Sequence, residues 1–344
     1  MVRRIIKIAF TYVGAVIGAG FVSGQEILNF FVIYDLEGLL LVLLTGVLFA
    51  VLGNSIFLIS EKLAVDNYYQ LFSHWGGKKL GLIADLNLTL FLLSSFIIML
   101  VGSKEVCSII SDFKYNWGLT LTLLIVIITN LYGLEGILDL NFILIPVLLL
   151  IIIIFTSGIN LEINFSDLNL KFDQLCSAFT YTGYNLVLAI TVLLPLVSKF
   201  NKLEVVLGIS SGGIILGIIA FLIAATLIQF QEYIVGEQLP MLKAVEIYKP
   251  QFYYLYALTL WLAMLTTASC NLYALLDRLE LIFNWGREKL LIIVIVIIMP
   301  LLQFSFSNLV QLIYPKLGAL SLFLFAALMI SYFIDSYLLH NSEL

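Results

Sequence analysis

The chain has 344 residues, of which 62% are hydrophobic and only 11% are charged, and its net charge is −5. A soluble protein would carry about 25% charged residues, so the composition excludes a soluble globular protein and predicts an all-α polytopic membrane protein. No basic tail or cluster suggests a nucleic-acid partner. The three cysteines, Cys107, Cys176 and Cys270, form neither a CxxC pair nor a disulfide framework. The expected partners are the lipid bilayer and a small-molecule substrate.

Apolar runs of about 20 residues recur from end to end of the chain, and each is long enough to cross a hydrocarbon core of about 30 Å. We predict about ten spans, at residues 5–34, 38–60, 81–104, 118–131, 138–157, 174–197, 204–229, 252–276, 288–304 and 317–336. The connections are too short for a soluble catalytic domain, so residues 1–344 are predicted to form a single transmembrane domain. The spans contain no Ser/His/Asp set, paired His or metal-ligand spacing, so we expect neither an enzyme nor a cofactor.

Lysine and arginine are distributed unevenly between alternate connections. If the N-terminus is cytoplasmic, eleven of the 17 Lys and Arg residues fall on the inner side and six on or near the outer side. Because cytoplasmic connections carry an excess of these residues, the pattern predicts a multi-pass protein of the inner or plasma membrane with both termini in the cytoplasm.

The first span carries its own helix breakers. Residues 11–31 read TYVGAVIGAGFVSGQEILNFF, with glycines at 14, 18, 20 and 24 and a carboxylate at Glu26. Open backbone survives in a membrane only where it is buried in protein or faces a watery cavity, and glycine lowers the steric cost of leaving helical geometry. We therefore predict a break near residues 18–24, which leaves carbonyls at the end of the inner half for a cation and N–H groups at the outer half for a carboxylate. The alternative is a GxxxG packing face formed by Gly14 and Gly18.

The sixth span is interrupted as well, by SAFTYTGYNL at residues 177–186, and we predict a second break near 179–185. Residues 1–157 and residues 174–336 would then form an inverted repeat of five helices each. Interrupted segments at corresponding positions of two halves are the best sequence pointer to a transporter binding site. The predicted substrate-binding residues are Gly18, Ala19, Gly20, Phe21, Ser23, Gly24, Gln25 and Glu26 of span 1 and Thr180, Tyr181, Gly183, Tyr184 and Asn185 of span 6.

Glu26 is the charged residue of this set. An intramembrane carboxylate is a functional hypothesis by default, and three roles compete: contact with a cationic group of the substrate, proton transfer, or hydrogen bonds that hold span 1 to span 6. The alternative is a structural carboxylate satisfied by backbone and tyrosine hydroxyls. For the span 6 tyrosines, the alternative is a place in the aromatic belt at the membrane interface.

The strings GAVIGAGFVSGQEILNFF and FTYTGYN resemble those of the YkvI-like family of bacterial membrane proteins, and the resemblance covers essentially the whole chain. That family is grouped with the amino acid–polyamine–organocation superfamily. The resemblance therefore implies a LeuT-type fold, a 5+5 inverted repeat with broken helices 1 and 6.

The same resemblance implies a sodium site. In sodium-coupled members, carbonyls one turn before the break in span 1 face an Ala-x-x-Thr/Ser-Thr/Ser pattern on span 8. Here Ala263, Thr266 and Thr267 match that spacing, and Gly14 and Ile17 would supply the carbonyls. The alternative is that the threonine hydroxyls bond back to their own helix. Span 5 has no lysine of the kind that replaces sodium in some members of the superfamily.

These patterns together predict a secondary active transporter of a small organic solute, an amino acid or related amine, driven by sodium through alternating access. Two alternatives remain open. One is a proton-coupled transporter that uses Glu26, and the other is a non-transporting sensor or receptor subunit on the same fold. The absence of room for an added soluble domain argues against the sensor.

Overall fold

The computed structural model describes residues 1–110, 117–159, 170–196 and 198–304, together with residues 306, 309 and 323. In these ranges the chain is almost entirely helical, which confirms the all-α prediction. Six helical stretches are long and apolar enough to cross a membrane: Gln25–Leu63, Gly77–Ile110, Gly133–Thr156, Phe172–Leu196, Lys202–Gln229 and Pro250–Phe283. Of the predicted span 317–336 the structure describes residue 323 alone, so the total of ten spans and the inverted repeat stay predictions.

The helices follow the predicted spans in order. Their bounds are α1 Val2–Val16, α2 Ala19–Val22, α3 Gln25–Phe30, α4 Asp35–Leu63, α5 Tyr68–Ile110, α6 Trp117–Leu131, α7 Gly133–Thr156, α8 Phe172–Leu193, α9 Lys202–Gln229, α10 Gln231–Ile234, α11 Pro240–Tyr248, α12 Tyr253–Phe283 and α13 Arg287–Ile298. Helix α5 bends at Gly77, whose φ of 68° and ψ of −179° are not helical.

The helices pack as two groups. The first group consists of α1 to α4, α8 and α9, and the second group consists of α5, α6, α12 and α13. In the first group α4 and α9 approach closely at Gly46 and Gly217. A methyl carbon added at Gly46 would lie only 2.6 Å from the Gly217 Cα. Close approach of glycines is how membrane helices gain packing contacts in the absence of a strong hydrophobic drive. Helix α7 packs against both α1 and α12 and so joins the two groups.

Polar links between α5 and α12 hold the second group together. Arg278 donates to both carboxylate oxygens of Asp85, with Nε–Oδ1 and Nη2–Oδ2 distances of 2.5 and 2.6 Å. Two parallel bonds of this kind are among the strongest side-chain contacts in proteins. Nearer the middle of the same interface, Asn271 Nδ2 donates to Ser95 Oγ at 2.8 Å. The second group is therefore tied internally at two levels.

The first predicted span is interrupted, as the glycines indicated. Helix α1 ends at Val16, Gly18 is extended with φ −97° and ψ −171°, and Gly24 adopts a left-handed conformation with φ 80° between α2 and α3. The break near residues 18–24 is confirmed. The outer half is not one half-helix, however, but two short helices of four and six residues.

The first span has a second interruption at Gly24, between α2 and α3, and other helices supply donors to the carbonyls freed there. The Tyr256 hydroxyl of α12 donates to the Val22 carbonyl at 2.8 Å, and the Met241 N–H of α11 donates to the Ser23 carbonyl at 2.8 Å. Because an unpaired carbonyl in an apolar interior costs free energy, these contacts stabilise the non-helical backbone.

The sixth predicted span does not break. Helix α8 runs without interruption over Phe172–Leu193, so the prediction of a break near 179–185 is wrong. The physical reason lies in the polar side chains: Thr182 Oγ1 and Asn185 Nδ2 donate to carbonyls four residues earlier in the same helix, at 2.8 and 3.0 Å. Local bonds of this type satisfy the side chains inside a continuous helix. The single Gly183 costs a helix only about 1 kcal/mol.

Candidate functional site

The interrupted end of α1 meets α12 at Thr267. The Thr267 hydroxyl donates to the Ile17 carbonyl at 3.0 Å and lies 3.3 Å from the Gly14 carbonyl oxygen. Gly14 lies in the last turn of α1 and Ile17 directly follows that helix, so the helix no longer supplies N–H partners to their carbonyls. The break thus turns main-chain oxygens toward the second helix group. A methyl carbon added at Gly18 would lie 3.7 Å from Thr267 Oγ1, so the hydroxyl faces the break itself.

The neighbouring hydroxyl behaves differently. Thr266 Oγ1 donates to the Ala263 carbonyl of its own helix at 3.0 Å, and both threonine side chains are buried. The structure therefore brings Gly14, Ile17 and Thr267 together, and it leaves Thr266 in a local bond. Oxygen separations near 3 Å are compatible with a shared cation, because hard cations of the size of Ca²⁺ hold oxygens at about 2.3–2.6 Å.

Glu26 folds back over Gly20. A methyl carbon added at Gly20 would lie 2.2 Å from Glu26 Oε1, so only glycine leaves room for this carboxylate. The Tyr184 hydroxyl donates to Oε1 at 3.4 Å, and the Tyr181 hydroxyl faces the same carboxylate. Within the described ranges no donor makes a well-formed hydrogen bond to the buried Oε2. Glu26 therefore retains an acceptor atom between the interrupted span and α8.

Aromatic rings pack against the two tyrosines that face this carboxylate. The Tyr181 ring packs against Phe30, Phe31 and Phe49, with centroid separations of 5.3, 5.1 and 6.3 Å. The Tyr184 ring lies 6.2 Å from the ring of Phe91 on α5. Since Tyr184 belongs to the first helix group and Phe91 to the second, the carboxylate lies where the two groups meet.

The other predicted residues of span 1 shape the break. Ser23 Oγ donates to the Gly20 carbonyl at 3.2 Å and accepts the Gln25 N–H at 3.4 Å. Ala19 and Phe21 are buried in the apolar core. Ser23 and Gln25 therefore form the local turn that presents Glu26.

On α8 the predicted residues divide in two. Tyr181 and Tyr184 are the members that the structure brings to Glu26 in the part of the chain that it describes. Thr180 is half-buried, Gly183 is buried within the helix, and Asn185 donates to its own helix. Although α8 is continuous, it does lie beside span 1 as predicted, with the Ser177 hydroxyl donating to the Phe30 carbonyl at 2.8 Å.

Two residues close to the site were missed in the sequence. Tyr256, which holds the Val22 carbonyl, lies seven residues before Ala263 on the same helix, so the two share a face. Asn141 on α7 lies against Gly14. Its sequence signal is the lone amide in the apolar run LNFILIPVLLL.

Comparison with known proteins gives two relatives of full length. No protein-family model matches the chain. YyaD of Bacillus subtilis strain 168 is 29% identical over 333 residues, which cover 95% of this chain and 97% of YyaD. YkvI of the same organism, described as an uncharacterized membrane protein, is 27% identical over 332 residues, which cover 94% of each chain. The chain is homologous to these two proteins.

Solved structures with a similar fold are transporters. Mhp1, a nucleobase-cation-symport-1 family transporter, matches in a closed conformation with bromovinylhydantoin bound, with a TM-score of 0.60, 16% identity and coverage of 92% of this chain and 77% of Mhp1. Its inward-facing conformation matches with a TM-score of 0.60 over 96% of this chain and 76% of Mhp1, at 16% identity. A mutant of the Eremococcus coleocola manganese transporter matches with a TM-score of 0.53 and 15% identity, over 94% of this chain and 75% of the transporter. The chain is thus similar in fold to LeuT-type transporters over most of its length.

Proposed function

We propose that this protein is a secondary active transporter that couples sodium to the movement of a small organic solute, an amino acid or related amine. The observation that carries the proposal is the meeting of the Thr267 hydroxyl with the Gly14 and Ile17 carbonyls at the interrupted end of α1. Carbonyl and hydroxyl oxygens are the ligands that a small hard cation prefers.

The position of these oxygens suits a coupling ion. Gly14 and Ile17 lie in the first helix group and Thr267 lies in the second. A cation bound to all three would draw the groups together, and its release would let them separate. In transporters with repeats of this kind, one bundle rocks against another around a site near the bilayer midplane. Sodium binding would then shift the population between the two arrangements, because its affinity differs between them.

The surroundings of Glu26 favour an ammonium-bearing solute. No donor pairs with its Oε2 among the described residues, and the side chains of Tyr181 and Tyr184 adjoin the carboxylate. Aromatic side chains attract organic cations. Among the described residues there is no group of three or more His, Cys, Asp or Glu that could hold a metal ion. An organic solute is therefore favoured over a transition metal such as the manganese named for one similar structure.

The membrane orientation follows from the charge pattern. Eleven of 17 Lys and Arg residues fall on the side of the N-terminus, which favours both termini in the cytoplasm. The site between the two helix groups would then open to the cytoplasm in one state and to the outer solution in the other.

A binding experiment followed by a flux experiment tests the proposal. Purified protein in detergent is titrated with NaCl against KCl at constant ionic strength, alone and with a panel of amino acids and amines, while the melting temperature is measured. A ligand that binds only the folded state must raise that temperature. We expect sodium-specific stabilisation and, in proteoliposomes, solute uptake driven by an inward sodium gradient. Equal melting curves in sodium and potassium, together with sodium-independent uptake, would contradict the proposed coupling.

A second candidate is proton coupling through Glu26, which its buried and incompletely paired carboxylate favours. Uptake driven by a pH gradient in sodium-free buffer, and lost in Glu26→Gln, would support protons over sodium. Uptake that requires sodium and does not change with the pH gradient would exclude protons as the coupling ion.

A further inference from the structure

Asn141 lies at the point where α1, α7 and α12 meet. Its side chain is completely buried. Its oxygen Oδ1 is pressed against Gly14, since a methyl carbon added at Gly14 would lie 1.9 Å from it. Gly14 is one of the two residues whose carbonyls face Thr267. Asn141 is therefore an immediate neighbour of the candidate cation site, on a helix that contributes nothing to the predicted ligand set.

The orientation of the Asn141 amide is fixed by its nitrogen. Nδ2 donates to the Ile137 carbonyl at 2.9 Å and to Cys270 Sγ at 3.6 Å. Rotating the amide by half a turn would place two oxygens, Oδ1 and the Ile137 carbonyl, against each other without a proton between them. The oxygen must therefore point toward Gly14 and the end of α1. Cys270 follows Thr267 by one turn on α12, so the amide also touches the helix that carries the hydroxyl.

Asn141 Oδ1 has no hydrogen-bond donor among the residues that the structure describes. A buried amide oxygen without a partner is destabilising, and most such oxygens in folded proteins are paired. An amide oxygen is also a common ligand for hard cations. Because Oδ1 lies against Gly14, whose carbonyl faces Thr267, a cation held there would give this oxygen a partner.

We propose that Asn141 supplies a further oxygen to the candidate cation site, so that the bound cation contacts α1, α7 and α12 together. This inference rests on the proposed function, because it requires that a cation binds at the end of α1. It assigns a specific task to α7, the helix that packs against both α1 and α12. Cation binding would fix α7 against the two groups, and cation release would leave the Asn141 oxygen unpaired and loosen that contact.

The test compares two asparagines of the same burial. Asn130 on α6 is the matched control, because it is completely buried and its Oδ1 also lacks a donor in the described ranges. Its Nδ2 donates to the carbonyl four residues earlier at 2.9 Å. Its amide also contacts α12, at the Ser269 carbonyl. Asn141→Leu and Asn130→Leu each replace the amide by a side chain of similar shape without oxygen. Sodium affinity is measured for both purified full-length variants from the rise in melting temperature with NaCl, with KCl as the reference salt.

We expect Asn141→Leu to raise the sodium dissociation constant about ten-fold or more, the effect of losing a polar contact to a charged group. Its melting temperature without sodium should stay level or rise, because an unpaired buried oxygen has been removed. A purely structural role would lower that temperature instead and leave sodium affinity unchanged. Asn130→Leu should keep the wild-type sodium affinity. If Asn141→Leu does not yield monodisperse protein, Asn141→Ala is measured in its place, with the same expected loss of sodium affinity.

The outcomes distinguish failure of this inference from failure of the proposed sodium-coupled function. If the wild-type protein shows no sodium-specific stabilisation, the sodium-coupled function fails and the inference fails with it. If the wild type binds sodium, Thr267→Val weakens binding and the Asn141 variant binds as tightly as Asn130→Leu, the inference alone is overturned. Equal weakening in both asparagine variants would also overturn it, because the effect would then not depend on the oxygen beside Gly14.

Discussion

The interrupted first span and the continuous helix α8 contain similar polar, glycine-bearing sequences, yet only one of them breaks. In the first span, the groups that meet the freed carbonyls come from other helices: Tyr256 and Thr267 of α12 and the Met241 N–H of α11. In α8 the corresponding bonds stay within the helix, from Thr182 and Asn185 to carbonyls one turn earlier.

This difference shows what a break in a membrane helix requires. Glycine makes the open backbone sterically accessible, but the open backbone persists only when groups elsewhere in the fold satisfy it. Gly183 meets the first condition. The second condition is not met, because the polar side chains of Thr182 and Asn185 hydrogen-bond within α8 itself. The functional consequence is that the first span exposes main-chain ligands, whereas α8 contributes side chains alone, chiefly Tyr181 and Tyr184 beside Glu26.

The strongest test of this comparison is a methyl group added to each segment. Gly24 has φ 80°, and an added methyl carbon would lie 2.8 Å from Met241 Cγ. Gly24→Ala should lower the free energy of unfolding by about 2–4 kcal/mol, which combines a left-handed alanine with overpacking. Gly183→Ala, in a continuous helix, should change it by about 1 kcal/mol or less. Unfolding of both variants in detergent checks the contrast, and equal losses would mean that α8 is strained at Gly183 as well.

A second test removes the charge that the interrupted span presents. Glu26→Gln keeps the shape of the side chain and an oxygen that accepts from Tyr184. We expect solute uptake or solute affinity to fall about 30–100-fold, the range for losing a charged contact, while the free energy of unfolding changes by about 1 kcal/mol or less.

The control for Glu26→Gln is Glu105→Gln, which changes a carboxylate that accepts the Phe306 N–H away from the interrupted span. It should transport like the wild type. Wild-type uptake by Glu26→Gln would make Glu26 a structural carboxylate and would remove the argument for an amine substrate.

A third test separates the adjacent threonines. Thr267 reaches across to α1, whereas Thr266 bonds to its own helix. Thr267→Val should weaken sodium binding about ten-fold or more through loss of one oxygen near the cation. Thr266→Val should weaken it less if its local bond persists when sodium is bound. Sodium titrations of the melting temperature measure both, and a larger effect at Thr266 would mean that its hydroxyl leaves Ala263 to become the principal ligand.

The sequence predicted the parts of this site that depend on local chemistry. The glycines within residues 18–24 indicated the break, and the family resemblance, matched at Ala263, Thr266 and Thr267, implied a hydroxyl opposite it. The break in α8 was predicted from the polar string SAFTYTGYNL, from its place opposite span 1 in the second half and from the family resemblance. It failed because a sequence does not show whether a hydroxyl bonds within its helix or across to another. Tyr256 and Asn141 were missed for a related reason: their importance arises from contacts with Val22 and Gly14, which are distant in the chain.

A fourth test compares one hydroxyl that crosses between helices with one that does not. Tyr256→Phe removes the donor to the Val22 carbonyl and leaves that carbonyl unpaired at the interruption, so it should cost about 1–3 kcal/mol of unfolding free energy. Thr182→Val removes a hydroxyl whose bond is to the Ala178 carbonyl of its own helix, and that carbonyl can keep its helical N–H partner, so the cost should be below about 1 kcal/mol. Hydrogen exchange of the Phe21–Gln25 amides gives a second measurement, because Tyr256→Phe should increase exchange there while Thr182→Val should not. If both variants lose the same stability and Phe21–Gln25 stays protected, the cross-helix bond is not what holds the second interruption open, and the Met241 N–H to Ser23 contact must hold it instead.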